Sequence, residues 1–545
     1  MSIWKRLLRG FDTRFRVYGS ELQMDKLEYA LNVGVHVVAY YQSYFGLKFP
    51  LPKLDMAAIP EYSSGATEHW GLITYRETAL IFDNKTSSAD NRERLRFAWW
   101  NDLWLNEGFA SYIQYKGLKS YESDWDTDSK FLTDTMHSVL KLDATTASHP
   151  IVVKVDNPDQ ITAVFDAISY NKGSSVIRMM ENFMGPEDFR LDITKIMSTW
   201  TMQKGYPVLT NPDAAVNDTP SDFDYKWEVP VTYVDSNGKK DQSWIHRGYY
   251  RVNYSPDVWQ QFIDLLIKSP SILSVSDKTG LINDAFSLAK STADRLSMKV
   301  PLSLIRYLNI ERSLAPWEAA INELYFLNSI FQNVNDIKEG LFSFEKSLIQ
   351  DLYADLGWND GSGTHDVKQL RKRKQFLDWK DSGKEPVPNF KAIVCRYGLP
   401  HDDESWNWLL ELYKAEKNAQ RRAVLEVGLS SSKNPEILRK FIQMAKDEEI
   451  VRRQDYFTLL SVISRNVVGE FTLNDRLFGR FISTATSGFS SQERLQEMKD
   501  FFAKYPEAGA GENYRKIAIE TVENNMQFIE KHSETIRSWL GENVI

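Results

Sequence analysis

The stretch RLRFAWWNDLWLNEGFASY, residues 94–112, decides how the first half of this chain is read. Asp102, Asn106 and Glu107 stand among large aromatic side chains. An acid in so apolar a run is either paired at a helix start or held for a function. From Asn101 onward the pattern predicts a helix. Upstream, DKLEYALNVGVHVVAYYQSYFG carries Leu27, Ala30, Leu31 and Val35 at helical spacing and ends on Gly46, a C-terminal stop. LPKLDMAAIP is bounded by prolines, as a short connection or a strand would be. GLITYRETALIF alternates as a strand, with Leu72, Thr74 and Arg76 against Ile73 and Tyr75. Downstream, Phe165 to Phe183 predict an apolar-striped helix around a Lys172-Gly173 step. Residues 20–205 therefore read as one mixed domain, preceded by a basic segment, residues 1–19, that the pattern leaves unassigned.

Between residues 206 and 255 the period changes to two. In YKWEVPVTYVDSNGKK, Trp227, Val229, Val231 and Tyr233 share a face, and Ser236-Asn237-Gly238 supplies a hairpin turn. GYYRVNY reads as a further strand, and so short a module has too few strands to close a sandwich. From 256 to 545 the pattern is helical. Asn434-Pro435-Glu436 is an N-cap, an N1 proline and a first-turn acid, followed by Ile437, Leu438, Phe441, Ile442 and Ala445 on one stripe. Ser490 and Glu493 have capping-box spacing before Leu495, Met498 and Phe502. Amphipathic helices joined by short polar loops predict stacked pairs in a superhelical array. No strict sequence period accompanies it.

Composition narrows the function classes. The 545 residues are 42% hydrophobic and include 16 Trp, 25 Tyr and 29 Phe, enough to bury several cores. A net charge of −8 with interspersed signs argues against a nucleic-acid binder, which would show a clustered basic face. No run of 18 apolar residues predicts a membrane span. MSIWKRLLRGF is basic but lacks the apolar region and cleavage site of a secretory leader. One cysteine, Cys395, allows no intrachain disulfide, so the cytoplasm is the default expectation, with a membrane-associated or secreted full-length form as the alternative. Three glycosylation triplets, at Asn84, Asn217 and Asn253, point toward that alternative. Oligomeric state leaves no mark.

Three segments carry chemistry. GATEHWG, residues 65–71, sets the carboxylate of Glu68 between glycines that let a backbone approach a ligand; taken alone, the fragment favours a turn with a solvated acid. WWNDLWLNEGFASY holds Asp102 and Glu107, and FDAISYNKGSSVIRMM holds Tyr170, which a core or capping tyrosine would also explain. The eight histidines stand at 36, 69, 137, 149, 246, 365, 401 and 532, none four residues from another. A helix of the form H-E-x-x-H, which places two imidazoles and a general base on one face for zinc, is therefore absent.

Together the segments resemble the zinc aminopeptidases of the aminopeptidase N family. GATEHWGLITYRETALIFDNKTSSADNRERL is similar to that family's exopeptidase segment, WWNDLWLNEGFASY to the one carrying its third zinc ligand, and FDAISYNKGSSVIRMM to the one carrying its catalytic tyrosine. YKWEVPVTY and GYYRVNY resemble its β-sandwich domain, and PLSLIRYLNIERSLAPWEAA with the helices beyond resembles its C-terminal domain. The likeness runs in family order from Val17 to Leu540. It implies a multidomain α+β chain: a remnant of a thermolysin-like catalytic domain over 20–205, a small partial β-sandwich over 206–255 and a large helical domain over 256–545. It also implies that Glu68 binds the free α-amine of a peptide, that the backbone around Ala66 and Thr67 aligns the peptide as a strand, that Glu107 is a third zinc ligand, and that Tyr170 donates to an oxyanion.

The departures weigh against hydrolysis. The family spacing is H-E-x-x-H, eighteen residues, then Glu. Counting back from Glu107, the imidazoles would fall at Asn84 and Ser88 and the general base at Lys85. Thr67 and His69 also replace the usual Met and Asn of the exopeptidase segment. A zinc held by three protein ligands lowers the pKa of its water from about 15.7 toward roughly 7, and one carboxylate cannot do this. Nothing in the spacing places His69 with Glu107 and Asp102 as a substitute site. The expectation is a family homologue that binds no zinc and does not hydrolyse peptides, or an incomplete or spliced product of an active gene. Its expected partner is a peptide with a free N-terminus; the alternative is a helical scaffold. The missing helix would remove burial of the same order as a typical stability margin of about 5–15 kcal/mol.

Overall fold

The computed structural model describes residues 2–7, 13–62, 65–82, 103–145, 148–153, 165–184, 200–209, 248–291, 295–356, 388–399, 403–432, 434–452, 455–464, 486–506 and 512–544, with isolated positions between these runs. In chain order they form β1 (Ser2–Leu7), β2 (Arg14–Gly19), α1 (Glu28–Phe45), β3 (Lys53–Ile59), β4 (Ala66–His69), β5 (Leu72–Arg76) and the single turn α2 (Glu77–Leu80). Next come α3 (Leu103–Tyr121) and α4 (Thr127–Lys130), which runs through a π-helical segment, Phe131–Met136, into α5 (His137–Asp143). A second π segment, Ile168–Lys172, opens α6 (Gly173–Met184), and β6 (Val208–Leu209) and β7 (Arg251–Val252) are two residues each. Helices follow: α7 (Pro256–Lys268), α8 (Val275–Lys290), α9 (Lys299–Leu304), α10 (Leu314–Ile330), α11 (Asn335–Leu356), α12 (Pro388–Gly398), α13 (Asp403–Ala415), α14 (Ala419–Leu429), α15 (Pro435–Met444), α16 (Tyr456–Ser464), α17 (Gln492–Lys504) and α18 (Glu512–Asn543).

These elements divide into two compact units. One comprises residues 1–97, 117–125 and 356–485, the other 98–116, 126–355 and 486–545.

In the first unit five strands form a sheet in the order β1-β2-β3-β5-β4. β2, β3 and β5 are parallel, and β1 and β4 run antiparallel at the two edges. Alternation directs Phe15 and Val17 of β2, and Ile73 and Tyr75 of β5, into the core, as the period-two pattern of GLITYRETALIF predicts. LPKLDMAAIP is a strand rather than a connection; it is central, and Leu54 to Ala58 are buried without a break. The stripe of α1, with Ala30, Leu31, Val33, Val37 and Val38 buried, covers this core. α1 stops where Gly46 turns left-handed (φ 64°), a conformation a side chain disfavours. Asp55, buried in β3, takes hydrogen bonds from Arg16 (2.5 and 2.6 Å) and Lys53 (2.8 Å). Burial opposes its charge, and these cations outweigh burial and hold the carboxyl below its ordinary range. Farther along this unit, Trp406 donates to the Leu429 carbonyl at 3.1 Å and packs on Phe441.

In the second unit a helical core gathers Trp259, Phe286, Tyr307, Phe331 and Trp539. Trp539 of α18 donates to Ser303 at 2.8 Å, which ties the ends of a chain stretch 236 residues long. A separate core under α3 to α6 contains Tyr112, Phe131, Met180, Trp200 and Tyr249.

Three expectations change in detail. The helix over 165–183 starts as a π segment, because Asp166 Oδ1 accepts from the amides of Ile168 (3.0 Å) and Ser169 (3.1 Å) while Lys172 is pulled inward. The cap of α17 is Ser491, which accepts from the Arg494 amide; the Ser490 hydroxyl donates instead to the Ile330 carbonyl. Of the β module, β6 and β7 pair in parallel (Val208 with Arg251), while Val229, Val231, Tyr233 and the turn at Ser236–Gly238 lie outside the described residues. Asn434 caps α15 as expected, accepting from the Glu436 amide at 3.0 Å. Asn253 of the third glycosylation triplet accepts from Trp259 Nε1 (3.2 Å) and donates to the Arg295 carbonyl (3.3 Å); Asn84 and Asn217 lie outside the described residues.

Candidate functional site

Ala66, Thr67 and Glu68 lie on β4, an edge strand whose register on β5 pairs Ala66 with Tyr75, Thr67 with Thr74 and Glu68 with Ile73. Directly opposed residues share a face, so Ala66 and Glu68 stand on the side of the buried Ile73 and Tyr75. That position explains the electrostatics of Glu68. Burial pushes its carboxyl above the ordinary range, and its own backbone amide and His69 only partly offset this. On the opposite face Thr74 Oγ1 donates to the Thr67 carbonyl (3.2 Å) and meets His69 Nε2 (3.3 Å) and the Tyr62 hydroxyl (2.8 Å). The turn into β5 needs Gly71: its φ is +77°, and a Cβ there would lie 3.3 Å from the Lys53 carbonyl oxygen.

Glu107 and Tyr170 belong to the second unit. Glu107 is half-buried on α3, next to Gly108. Gly108 meets Gly173 so closely that its Cβ would lie 3.0 Å from the Gly173 carbonyl carbon. This contact sets the turn bearing Glu107 against the π segment bearing Tyr170. π turns recur at functional sites because the extra residue redirects a side chain. Asp102, Asn84, Lys85 and Ser88 lie outside the described residues, as does the side chain of Asn106. Among the described residues, no three of His, Cys, Asp and Glu converge as a metal-binding group.

Two supports of the Tyr170 segment carry no motif. His149 faces Asp166 Oδ2 through Nε2 (2.7 Å) and the Pro150 carbonyl through Nδ1 (2.7 Å). Both neighbours only accept, so this geometry favours the imidazolium over the neutral ring. Burial opposes that charge, and Asp166 outweighs it and raises the pKa above the usual histidine value. Beneath, Lys172 is fully buried against Asp143 (3.0 Å) and donates to the carbonyls of Gln203 (3.2 Å) and Gly205 (3.0 Å). Asp143 also accepts from Tyr249 (3.0 Å), the Gly205 amide (2.9 Å) and Ser148. Burial lowers the Lys172 pKa, and Asp143 works against that shift. The buried lysine within the Tyr-Asn-Lys-Gly run is the only trace of this network in the sequence.

Comparison with known proteins identifies the family. Residues 29–207 match the peptidase family M1 domain, and residues 246–524 match the ERAP1-like C-terminal domain. The chain belongs to peptidase family M1, whose aminopeptidases are zinc-dependent. Among its relatives, the glutamyl aminopeptidase of Homo sapiens is 33% identical over 96% of this chain and 67% of its own length. The aminopeptidase A of Gloydius brevicauda is 32% identical over the same shares, and the endoplasmic reticulum aminopeptidase 2 of Bos taurus is 28% identical over 96% and 70%. The human alignment has 645 positions against the 545 residues here, so at least 100 positions of the relative have no counterpart in this chain. No helix among the described residues is long and apolar enough to cross a membrane.

Proposed function

We propose that this chain is a non-hydrolytic member of family M1 that engages the amino end of peptides through Glu68 on the edge strand β4. One observation carries the first half: no two of its eight histidines are four residues apart, and the positions counted back from Glu107 hold Asn84, Lys85 and Ser88. The donor set does not fit a zinc ion, since one carboxylate supplies neither the imidazoles nor the general base that activated water requires. Tyr170 could stabilise an oxyanion only if some other group created it. The position of β4 at the edge of the described sheet and the half-buried carboxyl of Glu68 support the second half: an extended peptide adds to a sheet edge, and a desolvated carboxylate pairs strongly with an ammonium group.

The test is direct. Purified chain is assayed for zinc by elemental analysis, for hydrolysis of an aminoacyl reporter dye, and for affinity toward one peptide with a free and an acetylated amino end. Bound zinc with turnover removes the non-hydrolytic reading, and equal affinity for the two peptides removes Glu68 as amine ligand. A second reading, an incomplete product of an active gene, draws support from the 100 or more unmatched alignment positions. Transcripts read across the codons for Arg94 to Trp99 decide it: an in-frame insertion encoding H-E-x-x-H establishes that reading.

A further inference from the structure

β4 is four residues long, and among the described residues its one strand neighbour is β5, on which its placement therefore depends. β5 passes without a loop into α2, and Arg76 at the junction donates its amide to the Gly65 carbonyl (2.9 Å) and Nε to the Tyr62 carbonyl (2.9 Å). A one-turn helix such as α2 cannot hold itself. Both of its ends are held from far along the sequence. At its start the buried Glu77 pairs with Arg452, 3.6 Å away, whose Nε and terminal nitrogen also bind Asp455 at 2.8 and 2.7 Å. At its stop the buried amide of Gln420, in the first turn of α14, donates to the Ile81 carbonyl and accepts from the Ser87 hydroxyl. A buried carboxylate without a cation and a buried carbonyl without a donor are both costly, so these bonds fix where α2 sits.

We infer that Gln420 and Arg452 are positioning residues for the peptide-binding strand: by gripping α2 at both ends they set the register of β5 and hold Glu68 in its half-buried place. This rests on the reading of Glu68 given above, and it adds a second part of the chain, residues 420–452, to the control of peptide affinity. The region that resembles a helical scaffold thereby tunes the amine site rather than merely accompanying it.

The full chain is compared with Arg452→Met, Gln420→Leu and the conservative Arg452→Lys. Hydrogen–deuterium exchange is read at residues 65–76, with α13 as internal reference, and affinity is read for a tetrapeptide with a free and an acetylated amino end. The Met and Leu variants are expected to speed exchange at 65–76 at least tenfold while α13 stays within twofold, and to lower the free-over-acetylated preference at least threefold. Lys at 452 is expected to restore both. Exchange unchanged at 65–76, exchange raised equally in α13, or a Lys variant no better than Met overturns the inference. A parent chain with no amine preference overturns the peptide-binding reading alone, because the exchange arm reads the strand without any ligand.

Discussion

Gly108 of α3 and Gly173 at the head of α6 touch backbone to backbone, and the contact is not symmetric. A Cβ on Gly108 would come 3.0 Å from a carbonyl carbon, whereas one on Gly173 would stop 3.4 Å from the Gly108 Cα. Gly108→Ala is therefore expected to cost about 1–3 kcal/mol through overpacking, and Gly173→Ala to be near neutral, since helix propensity returns up to about 1 kcal/mol there. Urea denaturation of the two variants measures the difference.

Glu68→Gln separates binding from folding. Loss of a charge-assisted bond worth about 1.5–3 kcal/mol predicts a fall in free-amine peptide affinity of roughly 10- to 100-fold, read by calorimetry. Stability moves the other way. The folded carboxyl holds its proton above the ordinary range, so the parent loses stability as pH rises from that range through the raised value. The Gln variant lacks this slope and melts no lower than the parent at neutral pH.

A second acid gives a cleaner pH signature. Burial, reinforced by Asp455, pushes the Glu426 carboxyl up to about 8, although the Tyr413 hydroxyl (3.1 Å), Arg452 and Arg422 favour its charge. Between the ordinary carboxylate range and about 8 the folded chain keeps a proton that the unfolded chain releases. Stability thus falls as pH rises through that window. Melting of Glu426→Gln against the parent, from pH 4 to pH 9, is expected to show a difference that grows in favour of the variant.

Breaking the buried pair under Tyr170 is expected to be severe. Lys172→Met strands the Asp143 charge and should cost about 3–5 kcal/mol, whereas adding Asp143→Asn in the same chain should recover a large part. Denaturant midpoints of the single and double variants check it.

Local signals were legible where a residue acts on its own neighbourhood. Gly46 ends α1, Asn434 caps α15, and the alternation at Ile73 and Tyr75 marks the buried face of β5, because each effect is settled within a few residues. Ser490 and Ser491 show the limit. Both carry a hydroxyl just before the helix, and the cap falls to Ser491 while the Ser490 hydroxyl donates to the carbonyl of Ile330, 160 residues away. The π turn at Ile168–Lys172 is illegible for a related reason. Asp166, which takes its first amides, is near in sequence, but the Asp143 carboxylate and Gln203 carbonyl that draw Lys172 inward, and the His149 ring that holds Asp166, lie outside any window around Tyr170. The roles read for Glu68, Glu107 and Tyr170 came from likeness to relatives rather than from spacing. The support from Gln420 left no sequence mark.

The two-residue parallel ladder joins Val208–Leu209 to Arg251–Val252, stretches 43 positions apart in sequence (208 to 251). So short a ladder cannot hold β7 by itself. β7 leans on α8 instead, where the Asp284 carboxylate accepts from the Val252 amide at 3.0 Å and from the Arg251 guanidinium at 2.9 Å. A parallel pairing that strands alone would not sustain is thus anchored by one buried acid of a helix.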